Sequence, residues 1–168
     1  MKKVLMVLLV ATVGAVNTYG FGIGVEGGGG YGWGNDSRGW GAVSFGIGDM
    51  YAPNGTGAVS LGFSDHYFYV GGHYKWHVLS YDVTNWFQLF IGIGPQVGIG
   101  FSFDSGNDNF YLNIAARAAF GMRFLLVEHV DIFLSLDPAI GLGLTFGDDT
   151  SGGLYGSIGG TLGIRFWF

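Results

Sequence analysis

Through most of the chain, apolar residues alternate with small or polar ones at a period of two. From Phe87 to Phe103 the odd positions carry Phe, Leu, Ile, Val and Pro95, while Gln, Gly and Ser fill nearly all the even ones; Phe90 is the one bulky exception. Successive strand side chains point to opposite faces, so this stretch predicts one long strand with an apolar face and a small or polar face. From Phe110 to Phe124 the even positions are apolar, opposite Asn113, Arg117 and Arg123. From Ile132 to Phe146 they are apolar again, opposite Ser135, Asp137, Gly141, Gly143 and Thr145. The last segment sets Leu154, Ile158, Leu162, Ile164, Phe166 and Phe168 against Tyr155, Ser157, Thr161, Arg165 and Trp167. Earlier segments follow the rule: Phe21, Ile23 and Val25; Val43, Phe45 and Ile47; Val59, Leu61 and Phe63; and Phe68, Val70, Tyr74 and Trp76, the last group opposite Tyr69, His73, Lys75 and His77. The pattern predicts eight strands.

Turn chemistry separates them at Asn35-Asp36-Ser37, Pro53-Asn54-Gly55, Ser64-Asp65, Tyr81 to Asn85, Asp104 to Asp108, Val127-Glu128-His129 and Gly147 to Gly152. The expected architecture is all-β, an antiparallel up-and-down meander of eight strands. Ahead of it, Met1-Lys2-Lys3 precedes the short apolar run Val4 to Ala11, the form of a secretory signal peptide. Residues 1–20 are therefore expected to be removed, leaving residues 21–168 as a single domain.

Composition turns the meander into a membrane structure. Only 11% of residues are charged, against roughly 25% in soluble domains. Glycine supplies 34 of the 168 residues, far above the usual share of about 7%. Such a chain suits water poorly, yet no segment after the leader is an apolar run long enough for a membrane helix. Lipid admits only helices and closed barrels, so a transmembrane β-barrel remains. Without cysteine there is neither a disulfide scaffold nor a lipid-modified anchor. Loss of the leader leaves five basic residues against twelve acidic ones, a net charge of −7 that disfavours nucleic acid as a partner.

A lipocalin-like soluble barrel shares the period with its faces reversed. Three features favour apolar side out. The opposite face is mostly Gly and would make a bare exterior in water. Tyr51, Trp76, Tyr81 and Trp86 at one rim, and Tyr31, Trp33, Trp40 and Tyr155 at the other, read as interfacial girdles. The third feature is the terminus. Thr161, Gly163, Phe166 and Phe168 match polar-x-Gly-x-x-aromatic-x-aromatic at the last residue, which resembles the assembly signal of outer-membrane barrels. That resemblance implies an outer-membrane location in a diderm bacterium and the barrel assembly machinery as a partner, with outer-membrane lipid as the solvent. In length and strand count the chain resembles the OmpA transmembrane domain and OmpX, which implies both termini on the periplasmic side. The stretches Phe87 to Phe103 and Arg117 to Leu144, with Gly94-Pro95 and Asp137-Pro138, also resemble a family of functionally uncharacterised spirochaete outer-membrane barrels; that likeness implies no activity.

Six charged residues fall on the inward face: Glu26 and Asp137, with Lys75, Arg117, Arg123 and Arg165. Buried charges persist when paired, so an ion network that plugs the lumen is expected, with His73, His77 and Gln96 nearby; a gate on a narrow path is the alternative. Gly22 to Gly27 spells G-x-G-x-x-G, but inside a strand with no helix to follow it cannot cradle a pyrophosphate. His73 and His77, four apart on a strand and so about 13 Å from each other, cannot share a metal. A lipid-modifying enzyme would use a His such as His66, His73 or His77, but no local signature accompanies them. No catalytic residue, cofactor or metal is expected. Asp36, Asp65, Asp104, Asp108, Asp148 and Asp149 form a solvated acidic rim through which short loops could meet an extracellular ligand. The expected function is a non-catalytic integral outer-membrane protein with an envelope-structural or surface-contact role; a narrow channel for small or apolar solutes is second, and a lipid-modifying enzyme third.

Overall fold

The computed structural model describes residues 20–32, 35–48, 50, 53–64, 67–104, 107–147 and 150–168. Residues 1–19 of the expected leader, together with Trp33, Tyr51, Asp65, His66, Asp148 and Asp149, lie outside that set, as do the side chains of Asp36, Phe63, Asp104 and Asp108.

Eight strands form: β1 (Phe21–Gly32), β2 (Asn35–Gly48), β3 (Pro53–Ser64), β4 (Tyr67–Thr84), β5 (Phe87–Asp104), β6 (Asn107–Val127), β7 (Val130–Phe146) and β8 (Ser151–Trp167). Each pairs antiparallel with the next, and β8 closes on β1 to complete a barrel. The seam is zipped to its last residue, where the Phe168 amide donates to the Phe21 carbonyl at 2.8 Å and Phe21 returns the bond at 3.3 Å. Closure removes the unpaired strand edges that would be intolerable in lipid. An even strand number puts both chain ends at one mouth, called here the terminal end.

Register partners followed round the ring from Phe21 run through Ile47, Gly55, Trp76, Ile93, Ala118, Pro138 and Ile158 and return to β1 at Tyr31, ten residues along. Eight strands with that stagger tilt by about 40° to the axis. The wall is uneven. Strands β1 to β3 have 12 to 14 residues, whereas β4 to β8 have 17 to 21; the excess of β5 to β8 stands mainly at the end away from the termini, the far end, while β4 meets β3 there at Tyr67↔Ser64 and runs on past β3 at the terminal end.

Several strands outrun the sequence-based turns. Asn35-Asp36-Ser37 lies in β2 and Pro53-Asn54-Gly55 in β3, while β4 continues to Thr84 and β7 starts at Val130. Turn-prone residues join a ladder readily when the neighbouring strand offers partners for their backbone, as Trp76 does for Gly55. At the terminal end the hairpins Asn85-Trp86 and Glu128-His129 take only two residues. Gly48, at φ 112°, sits in a region that disfavours side chains, and its amide donates to Gly20 where the chain turns from β2 toward β3.

The faces are those of a protein dissolved in lipid. Val25, Val43, Val59, Leu61, Ile93, Leu134, Leu142 and Leu162 are exposed on the outer wall, whereas Lys75, Gln88, Arg123, Asp131, Asp137 and Arg165 are buried inside. A soluble barrel would show the reverse. In β4 the period slips once: the register shifts between His77 and Leu79, so Val78 and Leu79 both face outward and Ser80 and Asp82 turn inward.

Aromatic rows mark the two edges of this apolar wall. Toward the far end, register partners Phe68, Phe101, Phe110 and Phe146 form a ladder over four strands, with ring centroids 6.5, 5.1 and 5.8 Å apart in turn. At the terminal end Phe87 and Phe124 stack at 5.1 Å beside Trp86. Phe87 and Phe101 are fourteen positions apart on β5, and at that tilt the two rows lie roughly 35 Å apart, enough to bracket a hydrocarbon layer of about 30 Å. The girdle expected from Tyr and Trp is thus built largely of Phe. Tyr31, Tyr81 and Trp86 do face outward near the rims. Trp76 faces outward but well inside β4, paired with Ile93. Trp40 and Tyr155 correct the expectation outright: both belong to the inward-facing set of their strands, because each shares parity with lumen residues, Trp40 with Ser44 and Tyr155 with Thr161.

Candidate functional site

The candidate site is the lumen, and its charges gather in two tiers. In the tier nearer the terminal end, Asp131 of β7 sits between two arginines. Arg123 donates from Nε to Asp131 Oδ2 at 2.8 Å and from Nη2 to the same oxygen, and Arg165 Nη1 lies 3.8 Å from it. The rest of the Arg123 fork is used as well, with Nη1 donating to Gln88 Oε1 at 3.0 Å and Nη2 to the Met50 carbonyl at 2.8 Å. Gln88 in turn donates to Asp82 Oδ1 at 2.5 Å. Arg165 lies over the Phe133 ring at 4.5 Å and near Trp167 at 5.7 Å; Arg123 lies 5.6 Å from Trp167. Trp167, Met50 and Leu125 close this mouth as a buried apolar cluster.

The second tier lies deeper. Arg117 Nη2 donates to Asp137 Oδ2 at 2.7 Å and to Thr161 Oγ1 at 3.0 Å, and the Thr161 hydroxyl donates to the same carboxylate. Ser135 donates to both Asp137 oxygens at 3.0 and 3.1 Å, and Lys75 Nζ is 3.6 Å from Oδ1. Arg117 Nη1 also lies 3.1 Å from His73 Nδ1 and donates to Gln96 Oε1 at 3.4 Å. A guanidinium only donates, so Nδ1 accepts and the ring presents Nε2 to Glu26 Oε1, 3.4 Å away. His77 contacts Thr56 Oγ1 at 3.2 Å and stacks flat on Phe90 at 4.8 Å.

The structure therefore sets Arg123 and Arg165 in the first tier, and Lys75, Arg117 and Asp137 in the second with Glu26 at its edge. Sequence reasoning missed Asp131, the hinge of the first tier, because the alternation was followed only from Ile132, two residues after the strand begins at Val130. Its signal was there: Asp131, Ser135 and Asp137 share parity on one strand. Among the described residues four cations and three carboxylates are buried in the lumen, and a fourth carboxylate, Asp82, faces inward at the exposed terminal mouth.

Between the charges the lumen is packed by rings lying on glycines. An added Cβ at Gly46 or Gly22 would strike Trp167, at Gly163 Phe133, at Gly121 Phe90, and at Gly98 or Gly71 Tyr69. This pairing accounts for much of the glycine on the inward face: a narrow barrel fits a large ring on one strand only where the facing strand has no side chain. Two positions of the terminal motif acquire a local reason here. Thr161 ties Asp137 to Arg117, and Gly163 makes room for Phe133, while Phe166 and Phe168 face outward. Among the described residues no group of three or more His, Cys, Asp or Glu side chains is gathered to hold a metal.

The whole barrel superposes on known structures. Neisserial surface protein A aligns with a TM-score of 0.55 at 14% identity, covering 88% of this chain and 97% of its own. The N-terminal β-barrel domain of Pseudomonas aeruginosa OprF gives 0.55 at 18% identity, over 88% and 97%. Ail, the attachment invasion locus protein of Yersinia pestis, gives 0.54 at 15% identity, over 89% and 97%. The fold is that of the small eight-stranded outer-membrane barrels. No family model matches the sequence, and no curated protein matches it. At these identities the likeness carries the fold; what the lumen does is read from its own residues.

Proposed function

We propose that the protein is a non-catalytic integral outer-membrane protein with a closed lumen, serving the envelope structurally or through surface contact. The observation that carries this reading is the double tier: each cluster gathers charges from several strands across the bore, and the rings of Trp167, Phe133 and Phe90 fill the space between. The terminal end faces the periplasm, the far end the exterior, and the terminal motif serves the assembly machinery during insertion after the leader is removed. The similarity to outer-membrane barrels of Gram-negative bacteria supports that location. His73 and His77 suit no lipid chemistry, because His73 is held between Arg117 and Glu26 and His77 between Thr56 and Phe90, inside the barrel and away from the lipid face.

The test is conductance of the refolded protein in planar bilayers. The closed reading expects no steady current at the level of a general porin. A stable open state of that size overturns it and favours the narrow channel.

A further inference from the structure

The far third of the lumen is built differently from the two tiers, and nothing in the closed-plug reading uses it. Above Arg117 the inward side chains Trp40, Tyr69, Asn113, Thr145 and Tyr155 are half-buried rather than sealed. All are uncharged. They stand mostly on the tall wall β5 to β8, which rises past the far ends of β1 and β3 and leaves that side open toward the far end. Glycines lie between them: an added Cβ at Gly143 would meet only the Asn113 amide oxygen at 3.2 Å and the Tyr155 ring at 3.8 Å. The floor is firm, since the Trp40 ring packs edge-on to His73 at 6.3 Å and carries the Arg117 guanidinium at 5.8 Å. One acceptor is left over: the Asn109 amide oxygen on the same face is shielded from solvent and has no hydrogen-bond partner among the described residues.

We propose that this vestibule binds a neutral, hydroxyl-rich ligand, an uncharged oligosaccharide segment. Phenol and indole rings offer flat faces to the C–H side of a sugar, and amide and hydroxyl groups match its hydroxyls in both donor and acceptor roles. The charges around it exclude the alternatives. The sequence sets six aspartates in or beside the far-end connections, which repel an anion at entry. Arg117 at the floor, with Lys75 beyond it, repels a cation that passes them. A neutral ligand meets neither barrier. The proposal rests on the outward orientation of the far end, but not on whether the lumen conducts.

The test uses the refolded full barrel in detergent. Tryptophan fluorescence and calorimetry follow titration with a panel of neutral hexasaccharides built on glucose, galactose, mannose and N-acetylglucosamine. A heparin hexasaccharide is the anionic comparison and a lysine hexapeptide the cationic one. The expected result is saturable binding of at least one neutral sugar, at least tenfold tighter than either charged probe. Gly143→Phe, which fills the cleft between Asn113 and Tyr155, abolishes it while the barrel keeps its heat-modifiable migration. Asn113→Ala, which leaves the wall intact, weakens it at least fivefold. Binding of no neutral sugar, equal or tighter binding of a charged probe, or unchanged affinity in both variants overturns the proposal. Bacterial and host glycans that share the preferred sugar, compared in the same assay, separate a ligand of the cell's own surface from one met outside. Conductance is read separately, so failure here and failure of the closed lumen are distinguishable.

Discussion

The two charge tiers use the same groups to different ends. In the tier near the termini, one carboxylate, Asp131, serves two arginines, and the surplus positive charge is spread over the rings of Trp167 and Phe133 and the carbonyl of Met50. In the deeper tier Asp137 takes bonds from Arg117, Ser135 and Thr161 with Lys75 at its other oxygen, while a second carboxylate, Glu26, holds only a 3.4 Å contact with His73. The first tier hangs on a single acid and is roofed by aromatics. The second balances two carboxylates against Lys75 and Arg117 and is open above to a half-wet vestibule. The terminal mouth is therefore the firm end of the barrel, and adaptability rises toward the far end.

That contrast is broken most directly at Asp131. Asp131→Ala strands two arginines that are each 1% exposed, and removing one partner of a buried ion cluster costs about 3–5 kcal/mol. Reversible urea unfolding in lipid vesicles should show a loss of that size. Adding Arg123→Met to the same variant should recover part of it, since an apolar side chain of similar volume carries no desolvation cost. A loss below about 1 kcal/mol would mean that water reaches this tier and screens it.

The outer wall gives the next largest effect and fixes where the tiers lie in the membrane. Ile93 and Leu134 are 52% and 45% exposed on the outer wall; Ile93, between Phe87 and Phe101 on β5, stands at mid-height between the aromatic rows, and Leu134, paired with Met122, nearer the terminal row. Arg at Ile93 should cost about 2–4 kcal/mol and Tyr81→Arg at the rim about 0–1 kcal/mol, with Leu134→Arg between the two. Equal costs at all three positions would show that the aromatic rows do not bound the hydrocarbon layer.

A smaller effect separates packing from recognition in the terminal motif. Gly163→Leu collides with the Phe133 ring and, as an overpacking change, should cost about 1–3 kcal/mol. Combining it with Phe133→Ala should restore most of the stability. If the double variant is stable once refolded but still fails to insert in cells, the glycine is read by the assembly machinery itself.

The barrel was legible because lipid and lumen impose opposite demands on alternate residues, and that demand is written along every strand as a period of two. The long wall read best: β5, from Phe87, holds seventeen residues of nearly unbroken alternation in its first reading and eighteen in the structure. Strand ends read worst. Asn35 and Pro53 carry turn chemistry, yet both pair with neighbours, since a ladder supplies what their propensity lacks. Trp40 and Tyr155 depart from the expected girdle because composition alone cannot tell a ring at a rim from a ring in the bore; the parity that sets Tyr155 opposite Leu154 does tell them apart. Asp131 was lost to the same boundary error. What alternation could not show is which charges meet: Arg117 lies 20 residues from Asp137 and 44 from Thr161, and only the register of three strands brings them together.

The weakest expected effect sharpens the comparison furthest. Glu26 is buried, but its nearest partner is a His73 nitrogen 3.4 Å off, and neither atom completes a hydrogen bond. Glu26→Gln keeps the shape and removes a carboxylate that gains little from its contact while still bearing the cost of leaving water. The unfolding free energy should change by no more than about 1 kcal/mol in either direction, several-fold less than at Asp131. Asp137, with its four partners, remains to hold Lys75 and Arg117. Should Glu26→Gln instead match the Asp131 loss, both carboxylates are needed together, the deeper tier acts as one unit spanning β1, β4, β6 and β7, and the barrel is as firm at mid-height as at its terminal mouth.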